Sequence, residues 1–357
     1  MSSALTDLCR YPIVQAPMAG GTSCPQLVAA VAEAGGLGFL AAGYKTADGM
    51  YNEIKQLRGL TGKAFGVNLF MPQPGLADPS AVEVYRQQLA GEAAWYETPI
   101  GDPDSDGDDG YEAKLAILLD DPVPAVSFTF GCPTRDTLDA FAGVGTYTVV
   151  TVTTPEEAQA AQWAGADAVC VQGVEAGGHQ STHHDDPQTD GTGIGLLSLV
   201  AQVRETVQIP IVAAGGLMRG SQIAAVLAAG AEAAQFGTAF LICPESGASP
   251  LHKRALTNPL FVRTALTRAF SGRPARGLVN RFMREHGPYA PAAYPQVHYL
   301  TAGLRKAAAR AGDAQGMALW AGQGHRMARE LPAGRLVRLL AEELDAARAA
   351  VSTGSTQ

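Results

Sequence analysis

The sequence predicts an α/β fold, a (β/α)8 TIM barrel of parallel strands with a small inserted lid domain near the C-terminus. Short apolar or β-branched runs alternate with helical patterns along most of the 357 residues. The runs are almost continuously hydrophobic, which is typical of parallel strands covered by helices. Eight strand–helix units can be counted, and that number favours a closed barrel over an open, doubly wound sheet.

Each predicted strand is a short run followed by turn residues. The eight runs are 13–16, 38–41, 64–69, 124–128, 146–151, 168–172, 211–214 and 233–236. Between them, the segment from Thr153 to Glu157 places hydroxyls before Pro155 and acids in a first helical turn, which is a strong helix start. Helices over 26–34 and 221–229 are predicted to end at the glycines that follow them.

The composition indicates a globular protein and argues against several functional classes. A net charge of −8 does not suit a nucleic-acid binder, which needs a basic face. No apolar run approaches the ~20 residues that span a bilayer, and the N-terminus has no signal-peptide pattern, so no membrane association is expected. The 5 cysteines are scattered and form no Cys-x-x-Cys pair. They fit a reducing compartment, and a cytoplasmic location is expected.

Three segments are predicted along the chain. Residues 1–240 form the barrel, which an amphipathic helix within 331–351 completes. Residues 241–330, rich in proline, arginine and aromatic residues, form the lid over the barrel mouth. Residues 352–357 are expected to be a disordered tail. The connection over 71–122, after the third strand, is longer than a minimal barrel needs.

The carboxyl ends of the strands should converge on one mouth of the barrel, where active sites of this fold lie. Small and polar residues lie near the ends of the predicted strands or just after them, at that mouth. They are Pro17, Met18, Asn68, Gln172, Gly177, Gly178, Gly215, Gly216, Gly237 and Thr238. This ordered set predicts a binding site for a phosphate-bearing cofactor.

Two kinds of cofactor contact are predicted from these residues. The glycines after the seventh and eighth strands allow backbone N–H groups to approach phosphate oxygens, and Thr238 adds a hydroxyl. Asn68 and Gln172 can both donate and accept hydrogen bonds, which suits the edge of a heterocycle such as a flavin. Met18 offers a soft apolar surface against such a ring. Each residue alone is equally explained as a tight turn, a cap or a core residue.

One ionisable side chain, His179, ends the glycine-rich turn after the sixth strand. A lone histidine is more often structural than catalytic. His179 follows Ala-Gly-Gly, however, which leaves it little shielded from a ligand. An imidazole that titrates near neutral pH is a natural base for a carbon acid. We therefore predict that His179 is the catalytic base.

Two groups resemble metal sites, and neither is predicted to bind a metal. His179, His183 and His184 lie near Asp185 and Asp186, but no helical His-x-x-x-His frame with a glutamate accompanies them. The second group opens like a calcium loop with Asp102, Asp104, Asp106 and Gly107. Its twelfth position is an alanine where a bidentate glutamate is needed, so a solvated acidic loop is expected.

Seven ordered motifs of the sequence resemble those of the nitronate monooxygenases, formerly called 2-nitropropane dioxygenases. The motifs are Gln-Ala-Pro-Met-Ala-Gly (15–20), Ala-Gly-Gly-Leu-Gly-Phe-Leu-Ala-Ala-Gly-Tyr (34–44), Gly-Val-Asn-Leu-Phe (66–70), Gly-Val-Glu-Ala-Gly-Gly-His (173–179), Ala-Ala-Gly-Gly-Leu (213–217), Gln-Phe-Gly-Thr (235–238) and Trp-Ala-Gly-Gln-Gly (320–324). The resemblance runs from about residue 11 to about residue 330. The segment after His179 departs from the Arg-Gly continuation of many relatives.

The resemblance implies an FMN-dependent enzyme in which His179 is the active-site base. The implied cofactor contacts are Asn68, Gln172, Gly177, Gly216, Gln235, Phe236, Gly237 and Thr238. An alkyl nitronate, or a nitroalkane after loss of its α-proton, would react with O2 to give a carbonyl compound and nitrite. Tyr294 and Tyr299 are the predicted substrate residues, and Arg305 and Lys306 are further candidates for binding an anionic substrate.

An NAD(P)H-dependent flavin reductase, acting on enoyl-acyl-carrier-protein or a quinone, is the alternative on the same scaffold. Such relatives share the Glu-Ala-Gly-Gly-His segment. The sequence has no Gly-x-Gly-x-x-Gly fingerprint after the first strand, and the 320–324 segment favours the monooxygenase. A flavin-binding barrel without turnover is a third class, which the intact His179 disfavours.

Overall fold

Eight parallel strands close into a barrel, as predicted. The structure, a computed structural model, describes residues 5–73, 78–104 and 109–354, with the backbone alone at Thr6 and 351–354. Its strands are β1 (Ile13–Gln15), β2 (Leu37–Ala41), β3 (Gly66–Phe70), β4 (Ala125–Thr129), β5 (Tyr147–Val152), β6 (Ala168–Gln172), β7 (Gly178–His179), β8 (Ile211–Ala214), β9 (Ala233–Phe236), β10 (Thr264–Thr267) and β11 (Ala275–Leu278). The barrel order is β1-β2-β3-β4-β5-β6-β8-β9, and β9 pairs back to β1. Every predicted run is one of these eight strands, with its boundaries shifted by no more than two residues.

Helices connect the strands and cover the outside of the barrel. In the described residues they are α1 (Leu5–Leu8), α2 (Pro25–Glu33), α3 (Ala47–Leu60), α4 (Pro79–Gln88), α5 (Ala90–Trp95), α6 (Tyr111–Asp120), α7 (Arg135–Gly143), α8 (Pro155–Ala164), α9 (Leu196–Thr206), α10 (Gly220–Ala228), α11 (Thr238–Leu241), α12 (Pro250–Thr257), α13 (Arg281–His286), α14 (Gln296–Arg310) and α15 (Ala333–Gly354). The predicted start of α8 is confirmed, since Thr154 accepts a hydrogen bond from the Glu157 N–H ahead of a first-turn proline. Gly35 and Gly230 follow α2 and α10 with φ of +94° and +106°, a conformation that favours glycine.

The barrel is filled by side chains at its amino-terminal end and is open at its carboxyl-terminal end. Alternate residues of the strands, such as Phe39, Tyr147 and Val212, pack inside the barrel. Leu5 of α1 is 3% exposed and belongs to the same cluster. A larger cluster of strand and helix side chains surrounds the barrel. This packing leaves the carboxyl ends of the strands for a site.

A second layer covers these carboxyl ends. In it, β10, β11 and β7 form a three-stranded antiparallel sheet, so that the short strand carrying His179 pairs with a strand from the predicted lid. Helices α4 and α5 also join this layer, although they belong to the long connection after β3. Tyr85 of α4 is fully buried there, and its hydroxyl donates to the Ala269 carbonyl oxygen at 2.7 Å. The layer is therefore built from two separate parts of the chain.

The last helix, α15, packs against the barrel exterior. Leu336, Leu340 and Leu344 on one of its faces lie in the outer core, and Glu343 accepts a hydrogen bond from the Gly220 N–H at 2.7 Å. Residues 352–354 of the predicted tail continue this helix, while 355–357 lie outside the described residues. None of the helices in the described ranges is long and apolar enough to cross a membrane.

Candidate active site

A cavity of about 470 Å³ lies at the carboxyl ends of the barrel strands, beneath the second layer. It brings together nearly all of the predicted site residues. Those that line it are Pro17, Met18, Asn68, Gln172, Gly177, Gly178, His179, Gly215, Gly216, Gln235, Gly237 and Thr238. Phe236 does not line it, because its side chain points the other way, is fully buried in the outer core and packs edge-to-face on Phe240.

One end of the cavity is a backbone cradle formed by the loops after β8 and β9. Gly215 and Gly216 have φ of +138° and +66° there. In the described part of the chain, the N–H groups of Gly216 and Thr238 donate to no acceptor. These free donors, with a hydroxyl beside them, are what a phosphate group requires.

The 320–324 segment closes the cradle from the second layer. The Gly322 N–H donates to Thr238 Oγ1 at 2.9 Å, and the Gln323 N–H donates to the Glu175 carbonyl oxygen at 3.0 Å. A Cβ on Gly177 would lie 2.5 Å from the Gly322 nitrogen, so only glycine allows this approach. The loop after β6 and the Trp-Ala-Gly-Gln-Gly motif are thus in direct contact.

The two predicted amides have different surroundings. Asn68 Nδ2 donates to Ser127 Oγ at 2.9 Å and to Thr129 Oγ1 at 3.0 Å, while its Oδ1 has no partner among the described residues. Gln172 donates to the His179 carbonyl oxygen at 3.1 Å and accepts from the Ser181 N–H at 2.8 Å. Asn68 therefore presents a free acceptor toward the cavity. Gln172 also fixes the course of the turn that carries His179.

His179 lies in an aromatic wall of the cavity. Its ring centroid is 5.6 Å from that of Phe130 and 5.7 Å from those of Tyr294 and Trp320. Nε2 shares a 2.8 Å hydrogen bond with Ser271 Oγ. The Ser271 hydroxyl also reaches the Arg273 carbonyl oxygen at 3.3 Å, so we assign the ring proton to Nε2. Nδ1, which has no partner in the described part of the chain, then carries the free lone pair.

The expectation that His179 titrates near neutral pH is wrong for this cavity. Burial is the largest of three effects that together lower the pKa of His179 to about 3, and the guanidinium groups of Arg273 and Arg305 are the other two. Burial disfavours a charge on the imidazole because the ring is away from bulk water, and the two guanidinium groups disfavour it because they already carry positive charge. The imidazole is therefore uncharged over the ordinary pH range, and it is a weak base unless a negative charge lies nearby.

The two predicted substrate tyrosines differ in position. Tyr294 contacts the His179 and Phe130 rings and donates a hydrogen bond to the Tyr44 hydroxyl at 3.2 Å. Tyr299 packs edge-to-face on His298, with ring centroids 5.6 Å apart. Neither tyrosine is among the residues that line the cavity itself. Only Tyr294 is thus brought next to His179.

Sequence reasoning missed several residues of the cavity wall. They are Tyr44, Phe70, Thr129, Phe130, Ser271 and His298. Four of them lie at or just beyond the carboxyl ends of β2, β3 and β4, so the rule used for the other strand ends could have found them. Ser271 and His298 come from the second layer, where no local pattern marks them.

The histidine and aspartate cluster after β7 has structural partners. His183 Nε2 lies 3.0 Å from the Thr151 carbonyl oxygen, and Asp185 forms an ion pair with Arg268 at 2.8 Å. In the acidic run, the Asp104 N–H donates to Asp102 Oδ1 at 3.0 Å. Asp106 and Gly107 of the calcium-loop pattern lie outside the described residues.

Comparisons with known proteins agree with this geometry. The family model described as nitronate monooxygenase matches residues 2–343. The chain belongs to the nitronate monooxygenase family. The nitronate monooxygenase of Pseudomonas aeruginosa is 45% identical over 350 residues, which cover 94% of this chain and 96% of that protein. The nitronate monooxygenase of Paraburkholderia phytofirmans is 40% identical, with 93% and 92% covered. This chain is therefore an oxidoreductase, of a family that is flavin-dependent in general.

Solved structures of similar fold include both a nitroalkane-oxidising enzyme and a protein of another name. A nitroalkane oxidase from Streptomyces ansochromogenes is 75% identical to this nitronate monooxygenase family member and has a TM-score of 0.96. The match covers 98% of the present chain and 100% of the oxidase chain. FabK from Thermotoga maritima is 28% identical with a TM-score of 0.74, and 98% of each chain is covered. The barrel is thus common to proteins with different names, so the fold alone does not indicate the reaction. The residues of the cavity wall have to indicate it.

Proposed function

We propose that this protein is an FMN-dependent nitronate monooxygenase that oxidises alkyl nitronates, and nitroalkanes after their deprotonation, with O2 to carbonyl compounds and nitrite. The observation that carries this proposal is the charge of the cavity. Among the described residues no carboxylate lines it, and Arg305 is its only permanently charged side chain. An uncharged histidine beside a guanidinium suits an anionic substrate, or a neutral one that becomes anionic by losing a proton.

The residues present fit a flavin mononucleotide. The cradle at Gly216 and Thr238 offers free donors for a phosphate, and the free Asn68 Oδ1 offers an acceptor for a ring N–H. Met18, Gly177 and Gly178 line the same cavity and offer it apolar surface for the ring. When bound, FMN would supply the acceptor that takes electrons from the substrate, a chemistry that protein side chains lack.

The roles of the chain's own residues follow from their positions. A nitronate is already a carbanion, so it needs binding and orientation but no base. A nitroalkane must first lose its α-proton, and His179 Nδ1 is the free lone pair available to take it. Ser271 holds Nε2 and so fixes which nitrogen faces the cavity. The Phe130 and Trp320 rings line the cavity beside His179 and would limit the water around the reacting carbon of a bound substrate.

Anaerobic mixing tests this proposal. We expect the purified protein to be yellow, to release FMN on denaturation, and to be bleached rapidly by ethylnitronate without O2. NADH and NADPH should bleach it slowly or not at all. Reduction by a nicotinamide nucleotide alone would favour the alternative function, an NAD(P)H-dependent flavin reductase. A protein that cannot be reconstituted with FMN would contradict both functions.

A further inference from the structure

We propose that Arg305, held in place by His298 and Thr301, binds the charged oxygens of a small planar oxyanion beside His179. The ligand class comprises the nitronate group of the substrate and the nitrite released from it. This inference rests on the proposed function for its substrate, but the anion site itself can be tested separately.

Arg305 lies on α14 and lines the cavity without an acidic partner. Its Nε donates to Thr301 Oγ1 at 3.1 Å, and its Nη2 donates to the His298 carbonyl oxygen at 3.0 Å and lies 3.3 Å from His298 Nδ1. Within the described ranges Arg305 forms no ion pair, and its Nη1 donates to no acceptor. Burial lowers the pKa of Arg305, as expected where a charge has lost water. Arg305 is half-buried at the cavity wall. A charge that has lost much of its water is normally offset by a counter-ion, and here the cavity is the place left for one.

His298 prepares Arg305 for a ligand. Its ring stacks on Tyr44 with centroids 4.1 Å apart and planes 6° from parallel. Burial and the adjacent Arg305 lower the pKa of His298 to about 2, so the ring is uncharged and Nδ1 can accept from the guanidinium. A guanidinium held by several bonds loses little freedom when an anion binds, and its planar fork matches two oxygens of a planar oxyanion.

The position of Arg305 separates this site from the phosphate cradle. The cradle is built by the loops after β8 and β9, whereas Arg305 comes from α14 of the second layer. Arg305 and His179 line the same cavity, and contacts through His298, Tyr44 and Tyr294 connect the guanidinium to the His179 ring. An anion bound by Arg305 therefore lies next to the imidazole, on the substrate side of the cavity. A bound anion would also offset the smaller contribution that the Arg305 charge makes to the lowered pKa of His179, and so favour protonation of the ring.

The experiment compares Arg305→Met and Arg305→Lys with Arg310→Met, all as FMN-loaded enzyme. Arg310 is an exposed arginine at the end of the same helix, so its variant removes an equal charge away from the cavity. Nitrite inhibition is measured against ethylnitronate, and nitrite binding is measured directly by calorimetry. We expect Arg305→Met to raise the nitrite dissociation constant and the nitronate KM by about 10- to 100-fold, the loss typical of a charged hydrogen bond. Arg305→Lys should show a smaller increase, and Arg310→Met none.

The outcomes separate the anion site from the function on which it rests. Unchanged nitrite binding in Arg305→Met, with flavin content and melting temperature preserved, would overturn the proposal. Loss of FMN from both Arg305 variants would overturn it too, because Arg305 would then serve the cofactor. If wild-type enzyme binds nitrite in an Arg305-dependent way but does not turn over ethylnitronate, the anion site stands and the proposed function fails.

Discussion

At the scale of single residues, the site depends on the protonation of His179. With a pKa of about 3, the folded protein holds this imidazole neutral wherever the pH is well above that value. A neutral imidazole can accept a proton immediately, but its conjugate acid is unfavourable until a negative charge develops nearby. The site therefore supports proton removal only as the substrate becomes an anion, which couples His179 to the charge recognised by Arg305.

The first residue-scale prediction concerns His179→Asn. It should lower kcat/KM for nitroethane by 10²- to 10⁴-fold, the usual contribution of a general base, but lower kcat/KM for ethylnitronate far less. Steady-state assays with the two substrates measure the contrast, with flavin content as the control for folding. Equal losses with both substrates, or none with nitroethane, would show that His179 is not a base.

The same pKa sets an expectation for pH dependence. Because a lowered histidine pKa means that the neutral form persists down to about pH 3, His179 should not titrate between pH 5 and 8. The kcat/KM of wild type for ethylnitronate should then have no step near pH 6.5, the unperturbed value for histidine. A step that disappears in His179→Asn would contradict the burial argument.

Strand-end residues could be predicted from sequence, whereas residues from the second layer could not. Asn68, Gln172 and the glycine pair after β8 were found because each lies near the carboxyl end of a buried run or directly after it. Ser271 and His298 reach the cavity only through the packing of distant segments. The protonation of His179 was missed for the same reason, since both guanidiniums that lower its pKa lie beyond residue 270.

At the scale of elements, a buried ion pair supports the loop after β2. Lys114 of α6 is 1% exposed, and its Nζ donates to the Ala42 carbonyl oxygen at 3.0 Å and to Asp109 Oδ2 at 2.7 Å. Asp109 Oδ1 accepts from the Tyr44 N–H at 2.8 Å. Tyr44 has φ of +64°, a conformation that a side chain rarely adopts without support. The pair thus holds Tyr44 against His298 in the cavity wall.

Lys114→Met should therefore destabilise the protein and disturb the cavity. We expect a loss of about 1–3 kcal/mol in the free energy of unfolding, because Asp109 and the Ala42 carbonyl lose a buried donor. The nitronate KM should rise as Tyr44 loses support. Lys45→Met is the matched control, since Lys45 pairs with Glu53 at a more exposed position and should matter little. Urea unfolding and steady-state assays measure both, and equal effects of the two variants would refute the argument.

At the scale of the whole molecule, the second layer joins two insertions that are far apart in sequence. Eight strands could be predicted because each is a hydrophobic run long enough to be recognised alone. The association of residues 78–104 with the predicted lid could not be predicted from the sequence. It depends on how buried side chains of the two segments, such as Tyr85 and Phe270, pack together. One network at this junction is ionic. Glu92 of α5 is 6% exposed and forms two hydrogen bonds with Arg281 of α13.

Glu92 should make this junction pH-dependent. Burial alone would raise the pKa of Glu92, but hydrogen bonds from Arg281 and His286 outweigh it and lower the pKa to about 2. A lowered carboxyl pKa stabilises the folded state fully above the unfolded value of 4.5, and that stabilisation is lost as the pH falls toward 2. Glu92→Gln should thus lower the free energy of unfolding by about 1–3 kcal/mol at pH 7. The difference from wild type should shrink steadily below pH 4.5.

Denaturant unfolding from pH 7 down to pH 3 measures that difference, and Glu83→Gln is the control. Glu83 lies on the neighbouring helix α4 and pairs with Arg86 at 2.7 Å in an exposed position, so its removal should leave stability unchanged. A difference for Glu92→Gln that stays constant with pH would mean that the carboxylate charge is not what joins the insertions. In that case the apolar contacts around Tyr85 would hold the second layer over the cavity by themselves.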